Sequence, residues 1–178
     1  MAAGARAVVL REKDLPRPRR RALGEAIVPL LAAVRGVLVV ASDAVLAGEL
    51  GARVHLAAHD PPPGPGAAGG AGRSCHDLAS LGAAAREGVA YATLSPIFPS
   101  ASKPGYGPCL GIPGLREATA ATRLPVYALG GVLPVNAGDC LRVGAAGVAV
   151  MGAVMASPSP ERATRDLLDA LGAAGPEA

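Results

Sequence analysis

Aromatic side chains are nearly missing from this sequence: its 178 residues include no Trp, one Phe and three Tyr. Platforms that bind single-stranded nucleic acid need rings interleaved with basic residues, so that class is excluded. The net charge of +3, from 17 basic and 14 acidic residues, is also too mild for a nucleic-acid footprint. Cysteine is scarce as well. Cys75, Cys109 and Cys140 form no CxxC pair, which argues against a disulfide framework and against a zinc site. The longest apolar run, Gly36–Ala41, is far too short to span a bilayer. No basic stretch followed by an apolar stretch opens the chain, so no secretory signal is expected. A cytoplasmic location and no membrane partner are the resulting expectations. The basic run Arg17, Arg19, Arg20 and Arg21 reads as a solvated helix start.

Small and aliphatic residues are what the chain has. Hydrophobic residues make up 51% and Gly accounts for 24 positions. A core of Val, Leu, Ile and Ala with Gly at close contacts suits helices packed on a parallel sheet. The length fits one domain, expected over residues 1–172, with 173–178 as a disordered tail.

Short apolar runs alternate with helix-period segments. The β-like runs are Arg6–Arg11, Gly36–Ala41, Ala52–Leu56, Val89–Leu94, Pro125–Leu129 and Ala146–Val150, with a shorter candidate at Gly72–Ser74. They are continuous rather than alternating, as expected of strands covered on both faces. Leu23, Ala26, Ile27, Leu30, Leu31 and Val34 form one apolar helical stripe, with Pro29 expected to kink or split it. Ser159-Pro160 reads as a helix start, followed by an inward face of Ala163, Leu167 and Leu171. Pro134 opens another helix, with Ala137, Cys140 and Leu141 inward. The Pro/Gly/Ala segment 61–72 reads as a loop in which no helix is expected. Repeated βα units imply a parallel sheet, either open or closed into a barrel.

In such folds ligands bind at the carboxyl ends of the strands. Those positions hold Arg11 and Lys13; Ser42 and Asp43; His55 and Asp60; Ser74 and His76; Ser100, Ser102 and Lys103; and Gly130-Gly131. Two carboxylates at two strand ends suit a hard divalent cation such as Mg²⁺, with phosphate oxygens completing its shell. Hydroxyls, a Lys and Gly amides suit phosphoryl groups. Each has a plainer reading beside it. Asp43 is a good N-cap type, Asp60 precedes a proline run as turn residues do, Ser74 and His76 adjoin a helix start, and Gly-Gly serves tight turns. Cys75 has no evident base beside it and reads as a bystander.

The segments Leu10–Pro16 (LREKDLP), the Asp43 loop, Val54–Asp60, Ser74–His76, the SPIFPSASKPGYG loop from Ser95, and Leu129–Gly131 occur in this order. Together they resemble the thiamine phosphate synthase and thiazole tautomerase (TenI-like) family, over nearly the whole chain. The SPIFPSASK loop is the most specific piece.

The resemblance implies a (β/α)8 TIM-type barrel, an α/β fold. It implies a transferase that condenses hydroxymethylpyrimidine diphosphate with thiazole phosphate, giving thiamine phosphate and pyrophosphate with Mg²⁺ assistance. It assigns Asp43 and Asp60 to the metal. It assigns Arg11 and Lys13 to the diphosphate, and Ser74 to the departing pyrophosphate. His55 would border the pyrimidine, and Ser42, beside the first carboxylate, would also bind substrate. Ser100, Ser102, Lys103, Gly130 and Gly131 would bind phosphate, with Lys103 and Ser74 in the catalytic roles.

Departures from the family pattern are Val9 in place of Gln, Ser42 in place of Asn, and Ala57-Ala58-His59 in place of Gly-Gln-Glu. The first segment aligns with the family's second strand, so a barrel lacking the first βα unit is expected. Its open edges would be a liability, and they leave room for a homo-oligomer in which a partner subunit covers them. The tautomerase branch carries His where this chain has Pro96, which favours the synthase branch. A tautomerase-like paralogue and an inactive homologue remain the competing readings.

Overall fold

The apolar runs become strands, and every strand pairs in parallel. The computed structural model describes residues 3–64, 68–100, 105 and 107–174. In chain order the elements are β1 (Ala7–Leu10), α1 (Arg17–Ala32), β2 (Val37–Ala41), α2 (Ala44–Glu49), β3 (Arg53–Leu56), β4 (Ala71–Cys75), α3 (Leu78–Glu87), β5 (Tyr91–Leu94), α4 (Gly111–Ala120), β6 (Val126–Leu129), α5 (Pro134–Arg142), β7 (Gly147–Ala149), α6 (Gly152–Met155) and α7 (Pro160–Gly172). The seven strands lie side by side in sequence order. Among the described residues β1 and β7 do not pair with each other, so the sheet is a curled half-barrel with two edges. This is the expected barrel architecture with one gap. No helix among the described residues is long and apolar enough to cross a membrane.

The core lies between the outer face of the sheet and the helices. Val40, Leu46, Leu81, Leu94, Ile97, Leu115, Val126, Cys75 and Cys140 are among its fully enclosed members. Leu10, Leu31 and Leu38 form a smaller satellite under α1. In α1 the buried residues are Gly24 and Leu31, with Ile27 and Val28 packed against the satellite, while Leu23 and Leu30 are exposed. The apolar stripe is therefore rotated from the one expected. Gly24 explains the rotation, because a Cβ there would sit 2.3 Å from Leu50 and α1 would lose its close approach. Pro29 does not split the helix, which runs through it to Ala32. The short candidate at Gly72–Ser74 is a full strand, preceded by a 3-10 turn at Ala68–Gly70. In α7, Leu167 is buried and Leu171 packs on the core as expected. Of the expected tail, Ala173 and Ala174 still bond back to the last turn of α7, and 175–178 lie outside the described residues.

The inner face of the half-barrel carries the polar side chains. Strand pairing aligns His55 with Gly72 and Gly72 with Tyr91. The next row aligns Ser74, Thr93, Tyr127 and Gly147. Glycines make room for the two large rings. A Cβ on Gly72 would lie 2.1 Å from Tyr91 Cζ, and one on Gly147 would lie 2.8 Å from Tyr127 Cε1. The rings of Tyr91 and Tyr127 meet edge-on with centroids 5.5 Å apart, the favourable geometry for aromatic quadrupoles.

Candidate active site

At the end of β2 the chain turns sharply. Ser42 has φ 58°, and its amide bonds to the His55 carbonyl at 2.9 Å. Asp43 then caps α2, its Oδ1 accepting from the Leu46 amide at 2.8 Å. Its Oδ2 faces two guanidiniums from α1, Arg20 at 3.1 Å and Arg17 at 3.5 Å. The arginine run is thus more than a solvated helix start. Arg20 lies largely covered, and its Nε is buried without a hydrogen-bond partner among the described residues. The capping role weighed for Asp43 is real, and it coexists with a position at the mouth of the half-barrel.

Asp60 sits after β3 and folds back on its own loop, its Oδ2 accepting from the Ala57 amide at 2.7 Å. Burial pushes its carboxyl up, but the Ser42 hydroxyl, the Ala57 amide, Lys13 and His59 outweigh that. The net result lies below the ordinary carboxylate value. Ser42 therefore links the β2 and β3 ends, and the charge of Lys13 at the β1 end acts on Asp60 through space. Arg11 stands exposed at that same strand end.

Arg73 on β4 fixes the Asp60 loop. Its side chain is 5% exposed and pairs with Glu87 at 2.6 Å. It also donates to the carbonyls of Ala57, Asp60 and Pro61. Sequence reading missed this residue. The available signal was a lone charge inside a strand candidate with apolar or small neighbours.

His55 is the centre of an inner polar cluster. Its Nε2 lies 2.9 Å from Ser74 Oγ and 3.3 Å from Thr93 Oγ1, and its Nδ1 lies 3.1 Å from Tyr91 Oη. Burial holds the His55 pKa down to about 4, helped by Arg73 and Lys13 and opposed by Asp60. The imidazole is thus neutral near pH 7. Tyr91 and Thr93 were also missed, being read only as part of an apolar run. Next along β4, Cys75 is fully buried and its thiol is pushed up to about 11 by burial. It is a core residue, which accords with its reading as a bystander. His76 turns away from His55 and bonds to the Ser95 carbonyl through Nδ1 at 2.8 Å. Asp77, not Ser74 or His76, caps α3, in a reciprocal box with Ser80.

The β5–α4 loop lies on the β6 turn. The Ile97 amide bonds to Leu129 O at 2.9 Å and the Phe98 amide to Gly130 O at 3.0 Å. Gly130 and Gly131 both have positive φ, 95° and 64°. A Cβ on Gly131 would sit 2.3 Å from the Pro99 carbonyl, and one on Gly130 would sit 2.9 Å from Pro96 Cα. The Gly-Gly pair is therefore required by close packing against this loop as well as by the turn. Ser100 is partly buried at the loop's end, while Ser102 and Lys103 lie outside the described residues. Of the expected site residues, the structure brings Ser42, Asp60, His55 and Ser74 into one hydrogen-bonded group, and the Lys13 charge acts on it from the β1 end with no ion pair among the described residues. Asp43 is next to it through Ser42, and Gly130-Gly131 lie further round the rim.

Parallel strands in sequence order, with cationic, carboxylate and hydroxyl side chains gathered at the strands' carboxyl ends, define a barrel-type α/β protein with a site for charged small molecules. The family model described as thiamine monophosphate synthase matches residues 1–154, and the chain belongs to that family. It is 40% identical to a thiamine-phosphate synthase of Roseiflexus castenholzii, across 93% of this chain and 75% of that protein. It is 37% identical to one of Methanoculleus marisnigri, across 99% and 86%. Among solved structures it resembles the thiamine phosphate pyrophosphorylase of Pyrococcus furiosus, with a TM-score of 0.86 and 25% identity over 97% of this chain and 86% of that one. A 3-hexulose-6-phosphate synthase shares the fold at a TM-score of 0.66.

Proposed function

We propose that this chain is a thiamine-phosphate synthase, a transferase that joins hydroxymethylpyrimidine diphosphate to thiazole phosphate and releases pyrophosphate. The observation that carries the reading is the Asp60–Ser42 pair, with the Lys13 charge acting on it, beside His55–Ser74 at adjacent strand ends, in a chain of this family. An anionic leaving group needs positive charge and hydrogen-bond donors aimed at it as the C–O bond breaks.

The donor set fits Mg²⁺ by chemical class. Asp43, Asp60 and the Ser42 hydroxyl offer only hard oxygen ligands, and among the described residues no group of three or more His, Cys, Asp or Glu could form a protein-only cage. The ion would share its shell with substrate oxygens, and at Asp43 it would compete with Arg17 and Arg20. Bound there, it supplies positive charge against the diphosphate.

The chain's own residues do the rest. Lys13 and Arg11 hold the diphosphate end. Ser74 donates to it, with His55 lying against the pyrimidine. Ser100, Ser102, Lys103 and the Gly130-Gly131 turn receive the thiazole's phosphate. Pro96, where the tautomerase branch carries His, offers no side chain to move a proton. A cytoplasmic location suits an exchange between two charged, phosphorylated metabolites.

The test is product formation. The purified chain given both substrates and Mg²⁺ should yield thiamine phosphate by mass spectrometry, and Lys13→Ala should lower the yield at limiting diphosphate. Thiazole isomerisation without any thiamine phosphate would overturn the transferase reading.

A further inference from the structure

Two hydrogen bonds run through the inner face of the half-barrel in a line, Tyr91 Oη to His55 Nδ1 at 3.1 Å and His55 Nε2 to Ser74 Oγ at 2.9 Å. A neutral imidazole carries one donor and one acceptor nitrogen, and the partner of each decides which is which. We propose that Tyr91 is a positioning residue. Its phenol donates to His55 Nδ1, holds the imidazole as the Nε2–H tautomer, and leaves the Ser74 hydroxyl hydrogen free to donate to the departing diphosphate. This rests on the transferase reading above for the identity of the anion, but the tautomer itself does not.

The argument is one of satisfying every group. If Nδ1 carried the hydrogen, the Tyr91 phenol would have to accept it, and its own O–H would have no acceptor among the described residues. Nε2 would then be an acceptor, and Ser74 at 2.9 Å is better placed than Thr93 at 3.3 Å to donate into it, which draws its hydrogen away from a ligand. With the hydrogen on Nε2, the phenol has its acceptor. Nε2–H is then shared between Ser74 at 2.9 Å and Thr93 Oγ1 at 3.3 Å, and Ser74 keeps a donor. Ser74 is only partly buried, so that donor is open to the mouth of the half-barrel. Burial pushes the phenol up to about 12 and the imidazole down to about 4, so both partners stay neutral over the working range. A chain of hydrogen bonds in a low-dielectric interior also polarises along its length, which strengthens the terminal donor.

The packing holds the chain in place. The His55 and Tyr91 rings stack with centroids 5.5 Å apart and planes at 28°. They sit on β3 and β5, either side of β4, and meet only because the intervening residue is Gly72. Tyr127 closes the far side of the Tyr91 ring edge-on. Three residues on three strands are therefore locked into a single orientation that ends at Ser74.

The experiment is ¹⁵N NMR of the His55 imidazole in the purified chain, run with steady-state pyrophosphate release. The wild-type ring should be predominantly Nε2–H. Tyr91→Phe keeps the ring and removes the hydroxyl. It should give a mixed tautomer population and a kcat about tenfold lower, with KM within about twofold, the scale of one lost hydrogen bond. In a Ser74→Ala background the same change should alter kcat less than about twofold, since the donor it positions is gone. A predominantly Nδ1–H ring in the wild type overturns the proposal, and this arm needs no variant to fold. An unchanged tautomer in Tyr91→Phe, or a full tenfold loss in the Ser74→Ala background, also overturns it. The expected tautomers with no pyrophosphate release from the wild type would support the positioning chain while overturning the transferase reading.

Discussion

Asp43 has two jobs, and they can be separated by substitution. Its Oδ1 caps α2 and its Oδ2 meets Arg20 and Arg17. Asp43→Ala should cost about 1 kcal/mol of stability in denaturant unfolding from the lost cap, besides any loss of activity. Asp43→Asn keeps an N-cap side chain and should recover most of that stability but none of the activity. Arg20 bears on the same carboxylate from the other side. Arg20→Met should tighten Mg²⁺ binding to the substrate-free chain about threefold in calorimetric titration, since a partly covered ion pair of this kind is worth up to about 1 kcal/mol. Weaker binding in that variant would show that Arg20 helps hold the metal site rather than competing with it.

His55 gives the molecule a pH signature. Its ordinary pKa of 6.5 falls to about 4 in the fold, chiefly through burial. Between those values the unfolded chain binds a proton that the native chain does not, so stability rises with pH across this window. On acidification from pH 6.5 to about 4 the chain should lose about 3 kcal/mol, the free-energy equivalent of that shift. His55→Asn should flatten this part of the stability curve. Asp60 acts at lower pH and in the same sense. Its depressed carboxyl adds stability above its unfolded pKa of 3.8 that is lost as the pH falls further. Unfolding midpoints in urea at several pH values distinguish the two windows.

At the scale of elements, the loop between β3 and β4 depends on one buried side chain. Arg73 binds three carbonyls of that loop and pairs with Glu87 on α3. Arg73→Met should leave the Glu87 charge and those carbonyls without their donor and destabilise the chain by about 3 kcal/mol. It should also raise protease cleavage near Asp60. Arg73→Lys should not rescue it, because one ammonium cannot replace the guanidinium fork. The β6 turn depends on the absence of side chains instead. Gly131→Ala places a Cβ 2.3 Å from the Pro99 carbonyl at φ 64°. It should cost about 2 kcal/mol or more and weaken binding of the thiazole's phosphate, read as a raised KM for that substrate alone.

What the sequence made legible follows a physical division. Strands appear as apolar runs because their outer face is packed under helices and their inner face carries few charges, and strand ends carry chemistry because loops there face the mouth; both are local patterns. Lys13, Ser42, Asp60, His55 and Ser74 could therefore be picked out before any coordinates. Arg73, Tyr91 and Thr93 could not, because what matters about them is what lies across the sheet. Tyr91 meets His55 only over Gly72, two strands away. The facing of α1 was misjudged for a similar reason. Gly24 carries no hydrophobic signal, yet it sets the side of the helix that approaches Leu50.

For the whole molecule, the curled sheet with unpaired β1 and β7 holds its site mainly along β1 to β4, with the Gly-Gly rim on β6. That half of the half-barrel is where Lys13, Asp60, Ser42 and Ser74 converge, and the family relationship extends across it. The central claim is that this convergence releases pyrophosphate from a pyrimidine diphosphate. Its most direct test is pyrophosphate release by the purified chain with hydroxymethylpyrimidine diphosphate, thiazole phosphate and Mg²⁺, run beside a folded Asp60→Ala variant. Release that needs the metal, needs both substrates and falls at least a hundredfold in the variant is the predicted result, an order of magnitude typical of electrostatic stabilisation of a departing anion. A folded wild-type chain that releases no pyrophosphate, or an Asp60→Ala variant that releases it at the wild-type rate, would contradict the account.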